Sequence, residues 1–354
     1  MNIYFCSTSY HLYLAILSID KCKKNVLFWD TTRKVNKHFY IVLSEIIEYW
    51  FDEVVIVGFE DRRNDSFGNI IRYFKSRKFL HRYVSLISSH EEISLFVHTL
   101  NLLERRVVNY SFKKNIQVNL VEDGLGSYLS IYEVFGLKKS FFPALNEFIK
   151  LVLKIRITTD KISNFNVWNT SLLNDELKNE FKDRIQDINI NNENKLLLKI
   201  QLAKTIIPEI IVNKGLFFFK NTPNEDIDFL SKYEPTVKCN PEILNYNESI
   251  NSFDINFVPW EFYLLYWENS VLLISKNSTV GYSFLFSNVN AKSLILKNTE
   301  NPIDDISIRI NEFFDKLAEI YPDSIFVISN SHDFETTIDN FDLSRHKHVS
   351  NTGG

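Results

Sequence analysis

Short apolar runs alternate with amphipathic segments along the first third of the chain. Asn2–Cys6 is an apolar run that predicts a strand, and Ser7-Thr8-Ser9 follows it as a loop and helix N-cap. The same pattern predicts helices over Tyr10–Ile19 and Val35–Trp50 and strands over Asn25–Trp29 and Glu53–Gly58. The alternation of short apolar runs with amphipathic helices continues through Val84–Ile87, Leu95–Leu103 and Ile116–Val121. This βα rhythm is typical of a parallel sheet with helices on both faces.

A second βα set follows a polar middle that we predict to be mostly helical, from Ser127 to about Lys199, with a connector rich in Asn and Glu at residues 189–194. The second set comprises strands over Gly215–Lys220, Thr236–Cys239, Ser270–Ile274, Ser293–Leu296 and Ser324–Ile328, and helices over Asp226–Ser231, Thr279–Phe286 and Ile306–Ile320. We therefore predict an α/β fold with two Rossmann-like domains, residues 1–200 and 201–345, facing a central cleft, and a disordered tail at 346–354.

The composition narrows the class of protein. The chain has 354 residues, 45% hydrophobic and 24% charged, which is a normal globular balance. Its net charge of −4 gives no reason to expect a nucleic-acid partner. The three cysteines, Cys6, Cys22 and Cys239, cannot all pair and lack metal-ligand spacing, which favours a reducing cytoplasm. We predict neither a signal peptide nor a transmembrane helix.

An acidic pair ends one of the predicted strands. Glu122-Asp123 follows an apolar run at once and is followed by Gly124 and Gly126. A carboxylate at the carboxyl end of a buried strand points into the crevice where open α/β sheets bind ligands, and glycine permits a sharp turn there. The pair is therefore a candidate general base. The alternative is an ordinary Asp-Gly turn or helix N-cap.

Three stretches of the second half could contact an anionic ligand. Ser278-Thr279 opens a predicted helix, where hydroxyls and free backbone N–H groups favour negative charge, although a plain N-cap has the same sequence. Asn221-Thr222 follows the predicted strand Gly215–Lys220, where a simple loop is the alternative. In Lys238-Cys239-Asn240-Pro241, proline holds Asn240 in an extended conformation, and the alternative is a turn.

The remaining candidates are a histidine and a basic apolar stretch. His11 lies with Ser9 in the first βα connection, which is a favoured ligand position, although a packed or capping histidine is the more common occurrence there. The eight histidines form no metal-binding set. Residues 138–156 combine apolar positions with lysines and one arginine, a pattern that suits either an anionic membrane surface or a core or dimer helix.

Taken in order, these motifs resemble the bacterial sialyltransferases of the lipooligosaccharide type (glycosyltransferase family 52) and the related capsular polysialyltransferases. Glu122-Asp123-Gly124 is similar to their D/E-D/E-G motif, and Ser278-Thr279 to their paired S-S/T motif. Tyr4–Leu12 is similar to the opening strand and loop of family 52, and Phe257–Phe262 resembles a Pro-x-Glu segment that precedes the S-S/T motif. The resemblance covers most of the chain in order and spacing.

The resemblance implies a GT-B fold and an inverting glycosyl transfer without a metal or other cofactor. The co-substrate would be a CMP-sugar that carries sialic acid or a related nonulosonic acid, and the acceptor a hydroxyl of lipooligosaccharide or capsule. Asp123 is the first choice for the base and Glu122 the second. The donor-binding residues would be Asn221, Thr222, Lys238, Asn240, Pro241, Ser278 and Thr279, and the acceptor-binding residues Ser9, His11, Gly124 and Gly126. The enzyme would be cytoplasmic, and a peripheral contact with the inner membrane surface is compatible with this location. A homodimer is a further possibility.

One position departs from the family pattern. The family resembled here also carries a His-Pro motif. The chain contains no His-Pro dipeptide, and Asn240-Pro241 stands at the position that best matches this motif. Asparagine can donate a hydrogen bond to phosphate but cannot serve as a proton donor at neutral pH. Two alternatives therefore stay open, namely a GT-B transferase that uses another nucleotide sugar, and a non-catalytic glycan- or nucleotide-binding subunit of a polysaccharide assembly complex.

Overall fold

The structure is a computed structural model of the whole chain. It describes residues 1–31, 34–58, 76–98, 100, 102–130, 157–205, 216–218, 237–238, 261–262, 265, 271–275, 279–287, 291–297, 305–329, 333 and 336–337. Several sequence-based predictions lie outside the described residues, namely those for Asn221, Thr222, Asn240, Pro241 and Ser278, for the basic apolar stretch 138–156, and for the tail 346–354.

The chain divides into two compact units. Unit 1 consists of Met1–Ile211 with Phe253–Trp267, and unit 2 of Val212–Ser252 with Glu268–Gly354. The segment 253–267 therefore belongs to unit 1, although the predicted boundary after residue 200 assigned it to the second domain. Phe262 from this segment packs edge-on against Tyr13, with ring centroids 5.6 Å apart.

Unit 1 is built on a seven-stranded sheet in the order β3-β2-β1-β4-β5-β6-β7, and every pair of neighbouring strands is parallel. Its strands are β1 (Asn2–Cys6), β2 (Asn25–Asp30), β3 (Glu53–Val57), β4 (Ser94–Val97), β5 (Gln117–Val121), β6 (Asn164–Val167) and β7 (Ile185–Asp187). The first two strands are buried almost throughout, as expected for near-continuous apolar runs in a sheet covered on both faces.

Helices connect these strands. They are α1 (Ser9–Ser18), α2 (Lys34–Val42), α3 (Ser44–Trp50), α4 (Arg77–Ile87), α5 (Leu102–Lys113), α6 (Gly126–Leu129), α7 (Asp175–Phe181) and α8 (Asn192–Thr205). Thr8 caps α1 by accepting a hydrogen bond from the backbone N–H of His11 at 3.2 Å. The predicted helix Val35–Trp50 is two helices that meet at Leu43, and Val84–Ile87 is the end of α4.

The polar middle of the chain was predicted to be mostly helical, and this prediction is wrong in part. Residues 164–167 and 185–187 are strands β6 and β7, which extend the sheet beyond β5. Both strands are short and lack a long apolar run, so their pattern gave little signal of pairing. The predicted connector 189–194 is also shorter than expected, because α8 begins at Asn192.

Asparagine pairs join neighbouring strands within this sheet. The Asn2 side-chain amide donates to the Asn25 side-chain oxygen at 3.2 Å, and these two residues are register partners in β1 and β2. The Asn164 amide donates to the Asn119 oxygen at 2.7 Å, between register partners of β6 and β5. Asn2, Asn25 and Asn119 are buried, and the hydrogen bonds compensate for the loss of water around their amides.

Unit 2 has a five-stranded sheet in the order β12-β11-β10-β8-β9, again with parallel neighbours. Its strands are β8 (Leu216–Phe218), β9 (Val237–Lys238), β10 (Val271–Ser275), β11 (Ala291–Leu296) and β12 (Ile325–Ile328), and its helices are α9 (Val280–Ser283) and α10 (Asp305–Ile320). Gly281 in α9 approaches β10 so closely that a Cβ atom at this position would overlap the Ser275 hydroxyl.

No helix within the described part of the chain is long and apolar enough to cross a membrane.

Candidate active site

The acidic pair lies at the carboxyl end of β5, between the ends of two neighbouring strands. The sheet order places β4 on one side of β5 and β6 on the other, with β1 next to β4. Because parallel strands end at the same edge of a sheet, residues that follow these four strands converge there. The residues that meet are Ser7, Tyr10 and His11 after β1, His98 after β4, Glu122 and Asp123 after β5, and Trp168 after β6.

Glu122 is the buried member of the pair. Its side chain accepts hydrogen bonds from the hydroxyls of Tyr10 and Tyr128 and from the backbone N–H of Trp168, the last at 2.6 Å. Its own backbone N–H donates to the Asn166 carbonyl at 2.9 Å. Both carboxylate oxygens are thus occupied by groups from α1, α6 and the end of β6. The residue is fully buried.

Burial and hydrogen bonding act on Glu122 in opposite directions. Burial raises the pKa of this carboxyl from 4.5 to about 7, against the lowering effect of the two tyrosine hydroxyls and the Trp168 N–H. The nearby charge of Asp123 adds to the upward shift in pKa. Glu122 is therefore a group that links three elements of the fold, and its oxygens face protein donors.

Asp123 differs from its neighbour in exposure. Its side chain is 43% exposed, whereas the side chain of His11, which it contacts, is 0% exposed. The contact joins Nε2 of His11 to Oδ1 of Asp123. The backbone N–H of Asp123 donates to the Ser127 hydroxyl at 2.7 Å, which fixes the main chain at the carboxylate. Asp123 thus presents its carboxylate to solvent, while the buried imidazole of His11 contacts one carboxylate oxygen.

The environment of His11 defines its tautomer. The backbone N–H of Ser7 donates to Nδ1 of His11 at 3.2 Å, and the Ser7 hydroxyl lies 3.3 Å from the same nitrogen. A backbone N–H can only donate, so Nδ1 is an acceptor and the ring proton is on Nε2. The Nε2–H group then donates to the Asp123 carboxylate.

His98 completes the group. Its ring stacks on that of His11, with centroids 4.3 Å apart and planes 5° from parallel. Its Nδ1 lies 2.9 Å from the backbone carbonyl of Glu122 and donates to it, because a carbonyl only accepts. Its Nε2 is buried and has no hydrogen-bond partner in the described part of the chain. Burial is the main cause that lowers the pKa of His98 well below its ordinary value, and the nearby His11 adds to this effect.

Of the two glycines that follow the acidic pair, Gly124 has the backbone conformation that favours glycine. Gly124 has φ of 90°, in the left-handed region that other residues avoid. Its carbonyl accepts the backbone N–H of Ser127 at 3.0 Å and so starts the turn into α6. Gly126 is the first residue of α6, and Ser9 is the first residue of α1. These four candidates of unit 1, Ser9, His11, Gly124 and Gly126, therefore lie within the segments that hold the acidic pair.

Two of the predicted donor-binding residues lie within the described part of unit 2. Lys238 is the last residue of β9, and Thr279 directly precedes α9, four residues after the end of β10. Strands β9 and β10 are both neighbours of β8 and run parallel to it, so both residues lie at the carboxyl edge of the second sheet. Thr279 has helical φ and ψ of −56° and −30° and makes no side-chain cap hydrogen bond to α9, unlike an ordinary threonine N-cap.

Glu261 is another buried carboxyl of unit 1. It comes from the Pro-x-Glu segment, next to Phe262, and is 6% exposed. Burial raises its pKa from 4.5 to about 7, and a hydrogen bond with its own backbone works in the other direction. A buried glutamic acid at this position is a feature that the sequence pattern alone did not indicate.

Sequence reasoning found the acidic pair and His11 but missed several residues that contact them, including the four with ring side chains. These are Tyr10, His98, Tyr128 and Trp168. For His98 a signal existed, since it lies within the predicted run Leu95–Leu103. This signal could be interpreted only with the strand order, because the adjacency of β4 to both β1 and β5 brings His98 to His11 and Glu122.

Among the described residues, no group of three or more His, Cys, Asp or Glu side chains is arranged to hold a metal ion.

Comparison with known protein families decides the class of the protein. The model of a family described as alpha-2,8-polysialyltransferase matches residues 2–255. The chain belongs to this family. The match confirms the resemblance to polysialyltransferases, and it makes the protein a member of a sialyltransferase family, a class of glycosyltransferases. The match covers both the acidic motif and Asn240-Pro241. No curated protein sequence matches the chain significantly.

A solved structure supports the predicted fold class. The polysialyltransferase-family chain is similar to the crystal structure of a protein from Listeria monocytogenes assigned as a UDP-N-acetylglucosamine 2-epimerase. The TM-score is 0.51 at 12% sequence identity, over 96% of this chain and 87% of that one. At this identity the similarity concerns the fold alone. The prediction of a GT-B-like α/β fold is confirmed.

Proposed function

We propose that the protein transfers sialic acid, or a related nonulosonic acid, from a CMP-sugar to a hydroxyl group of a glycan. The observation that carries this proposal is the half-exposed Asp123 carboxylate, held by a buried His11 at the carboxyl edge of the first sheet. A carboxylate in this setting is suited to accept a proton from an acceptor hydroxyl. Membership of the polysialyltransferase family supports the sugar class.

Asp123 is the base in this proposal. Glu122 is unsuited to the role because it is fully buried and its oxygens accept hydrogen bonds from two tyrosines and a backbone N–H. Asp123 takes the proton of the acceptor hydroxyl while that oxygen forms a bond to the anomeric carbon of the donor. The bond from the anomeric carbon to the phosphate oxygen breaks, and CMP leaves with the electron pair. General-base help of this kind contributes about 10²–10⁴-fold.

The assignment of His11 changes within the proposal. The family resemblance placed His11 among the acceptor-binding residues, but its side chain is 0% exposed and its Nε2–H faces Asp123. We therefore assign it to the orientation of the Asp123 carboxylate. Ser9, Gly124 and Gly126 remain the proposed acceptor contacts, because they lie in the segments on either side of that carboxylate.

Unit 2 supplies the donor contacts in this proposal. Thr279 and Lys238 lie at the carboxyl edge of the second sheet, which is where open parallel sheets bind nucleotides. A lysine ammonium and a threonine hydroxyl would stabilise the charge that develops on the leaving phosphate. Asn221, Thr222, Asn240, Pro241 and Ser278 complete the proposed set from the sequence pattern. We propose that the transfer inverts the anomeric centre and needs no metal. Retention of activity in EDTA tests the second part, the independence of a metal.

The proposed setting is the cytoplasmic face of the inner membrane, where a lipid-linked or capsular glycan would be the acceptor. The basic apolar stretch 138–156 is the proposed membrane contact. If it docks on anionic lipid, replacement of Lys138, Lys139, Lys150 and Lys154 should reduce flotation with phosphatidylglycerol vesicles. Unchanged flotation would remove the membrane contact while leaving the transferase proposal intact.

A nucleotide panel combined with a transfer assay tests the main proposal. CMP should raise the thermal unfolding midpoint of the full chain, whereas UDP and GDP should not, because the donor of this proposal is a CMP-sugar. The full chain should also transfer labelled sialic acid from CMP-sialic acid to an oligosialic acid acceptor. Stabilisation by UDP or GDP alone would support a transferase with another nucleotide sugar. Binding of CMP without turnover would support a non-catalytic subunit.

A further inference from the structure

We propose that His98 is a positioning residue for the Asp123 carboxylate, acting through the ring of His11. This inference rests on the proposed function, because it names a further residue on which the same reaction depends. His98 does not face solvent, since it is 2% exposed. Its contacts with His11 and with Glu122 both lead to the acidic pair.

The first contact determines the plane of the His11 ring. The two imidazoles lie 4.3 Å apart and 5° from parallel, so His98 blocks rotation of His11 about its χ2 angle on one face. The Ser7 N–H holds the opposite corner of the ring at Nδ1. With these two restraints, Nε2–H of His11 has a single direction, which is toward Oδ1 of Asp123.

The second contact fixes the main chain from which the carboxylate projects. The Nδ1–H group of His98 donates to the Glu122 carbonyl at 2.9 Å, and this carbonyl belongs to the peptide that joins Glu122 to Asp123. Rotation of that peptide would move the Asp123 side chain. His98 therefore holds both the donor, His11, and the peptide that carries the acceptor, Asp123.

The remaining groups around the stacked pair are already assigned to other bonds. Ser7, after β1, and Asp123, after β5, contact His11, and the Glu122 carboxylate accepts hydrogen bonds from Tyr10, Tyr128 and Trp168. The only polar atom of the pair without a partner in the described part of the chain is Nε2 of His98, which is buried. An unsatisfied buried nitrogen has an energetic cost, and a positioning role for the ring gives a physical reason for that cost.

Two variants of the full chain separate the two contacts. His98→Asn keeps an N–H donor near the Glu122 carbonyl but removes the ring, and His98→Phe keeps the ring but removes the donor. We expect His98→Asn to lower kcat for sialyl transfer by about 10²-fold with KM for CMP-sialic acid unchanged, because a displaced catalytic group costs about that much. His98→Phe should retain more of kcat than His98→Asn. His81→Phe is the matched control, since His81 is exposed on α4.

A double-variant comparison shows whether His98 acts through Asp123. In an Asp123→Asn background, His98→Asn should cause little further loss of single-turnover rate, since the group that it positions is gone. A full 10²-fold further loss there would overturn the proposal. So would wild-type kcat in His98→Asn.

Nitrogen-15 NMR of the imidazole rings provides a readout that does not need activity. In the wild-type chain His11, assigned by its loss in His11→Phe, should show a protonated Nε2 and an unprotonated Nδ1. His98→Asn should give mixed tautomers of His11, and His98→Phe should keep the single tautomer. If the tautomers behave so but no sialyl transfer occurs, the proposed function fails and the positioning of His11 stands. If transfer occurs and His98→Asn changes neither tautomer nor kcat, the positioning role fails alone.

Discussion

Nε2 of His11 contacts a carboxylate oxygen of Asp123, a residue 112 positions further along the chain. The two residues belong to α1 and to the turn after β5, and they meet because β1 and β5 flank β4 in the same parallel sheet. A neutral imidazole donor supports a carboxylate without neutralising it, whereas a cation at the same place would reduce its basicity. In the proposed reaction, the contact therefore orients the Asp123 carboxylate toward the acceptor hydroxyl.

The two adjacent carboxylates should respond differently to the same chemical change. Asp123→Asn should lower kcat by about 10²–10⁴-fold with CMP binding unchanged, because it removes the base but not the donor site. Glu122→Gln should cost much less in kcat and about 1–3 kcal/mol in the free energy of unfolding, since a glutamine nitrogen cannot accept from the surrounding donors. Steady-state kinetics and thermal unfolding measure the two effects. Equal kinetic losses in both variants would contradict the division of roles, and the exposed Asp160, changed to Asn, serves as the control.

Gly124 and Gly126 provide a matched pair for the turn. Gly124 has φ of 90°, so Gly124→Ala should lower the free energy of unfolding by about 1–2 kcal/mol and reduce kcat by displacing Asp123. Gly126 begins α6, where alanine is a better helix former, so Gly126→Ala should leave the free energy of unfolding unchanged or raise it. Thermal unfolding with the transfer assay compares them. A neutral Gly124→Ala variant would show that the turn adopts another conformation.

The close approach of Gly281 to Ser275 predicts a rescue in unit 2. A Cβ at position 281 overlaps the Ser275 hydroxyl but lies 3.5 Å from Ile295, which is ordinary contact distance. Gly281→Ala should therefore destabilise the protein by about 1–3 kcal/mol. Ser275→Ala should be nearly neutral, because the hydroxyl that it removes is buried without a partner among the described residues.

The double variant Ser275→Ala/Gly281→Ala should recover most of the loss in the unfolding midpoint. If it is as unstable as Gly281→Ala alone, the hydroxyl is not the obstacle.

Two buried glutamic acids predict how stability depends on pH. Folding raises the pKa of Glu122 and of Glu261 from 4.5 to about 7. Below pH 4.5 these carboxyls are protonated in both the folded and the unfolded chain, and their contribution to stability is complete. As the pH rises through about 7, the folded protein must ionise buried groups, and that contribution is lost.

The free energy of unfolding should therefore receive a falling contribution from these groups between pH 4.5 and about 7. Glu261→Gln should flatten the profile in this range, because a neutral amide has no proton to lose. Chemical denaturation at several pH values measures this, with the exposed Glu176→Gln as control. A Glu261→Gln profile parallel to that of the wild type would show that the carboxyl does not titrate as described.

Most of the first sheet could be predicted because its central strands are continuous apolar runs. Asn2–Cys6 and Asn25–Trp29 lie in a sheet covered by helices, and burial on both faces leaves an unmistakable pattern in the sequence. Strands β6 and β7 escaped prediction because one is four residues long, the other three, and both mix polar with apolar positions. Their pairing depends on β5, which a local pattern does not report.

The sequence could identify segments of the candidate site but not the contacts between them. The position of Glu122-Asp123 after a strand, followed by glycine, identified the acidic pair, and the βα connection identified His11. The different roles of the two carboxylates could not be predicted, since they follow from exposure and from donors on three other elements. His98 likewise became visible only when the sheet order placed β4 between β1 and β5.

The paired asparagines of the first sheet have a consequence for how its strands align during folding. Asn2 with Asn25 and Asn119 with Asn164 are bonded only when β1 and β2, and β5 and β6, are in their observed register. A shift by one residue would leave buried amides facing apolar neighbours, at a cost that hydrophobic side chains alone would not impose. The amide pairs thus discriminate against misaligned sheets, and so help to ensure that residues after the strands arrive together at the opposite edge.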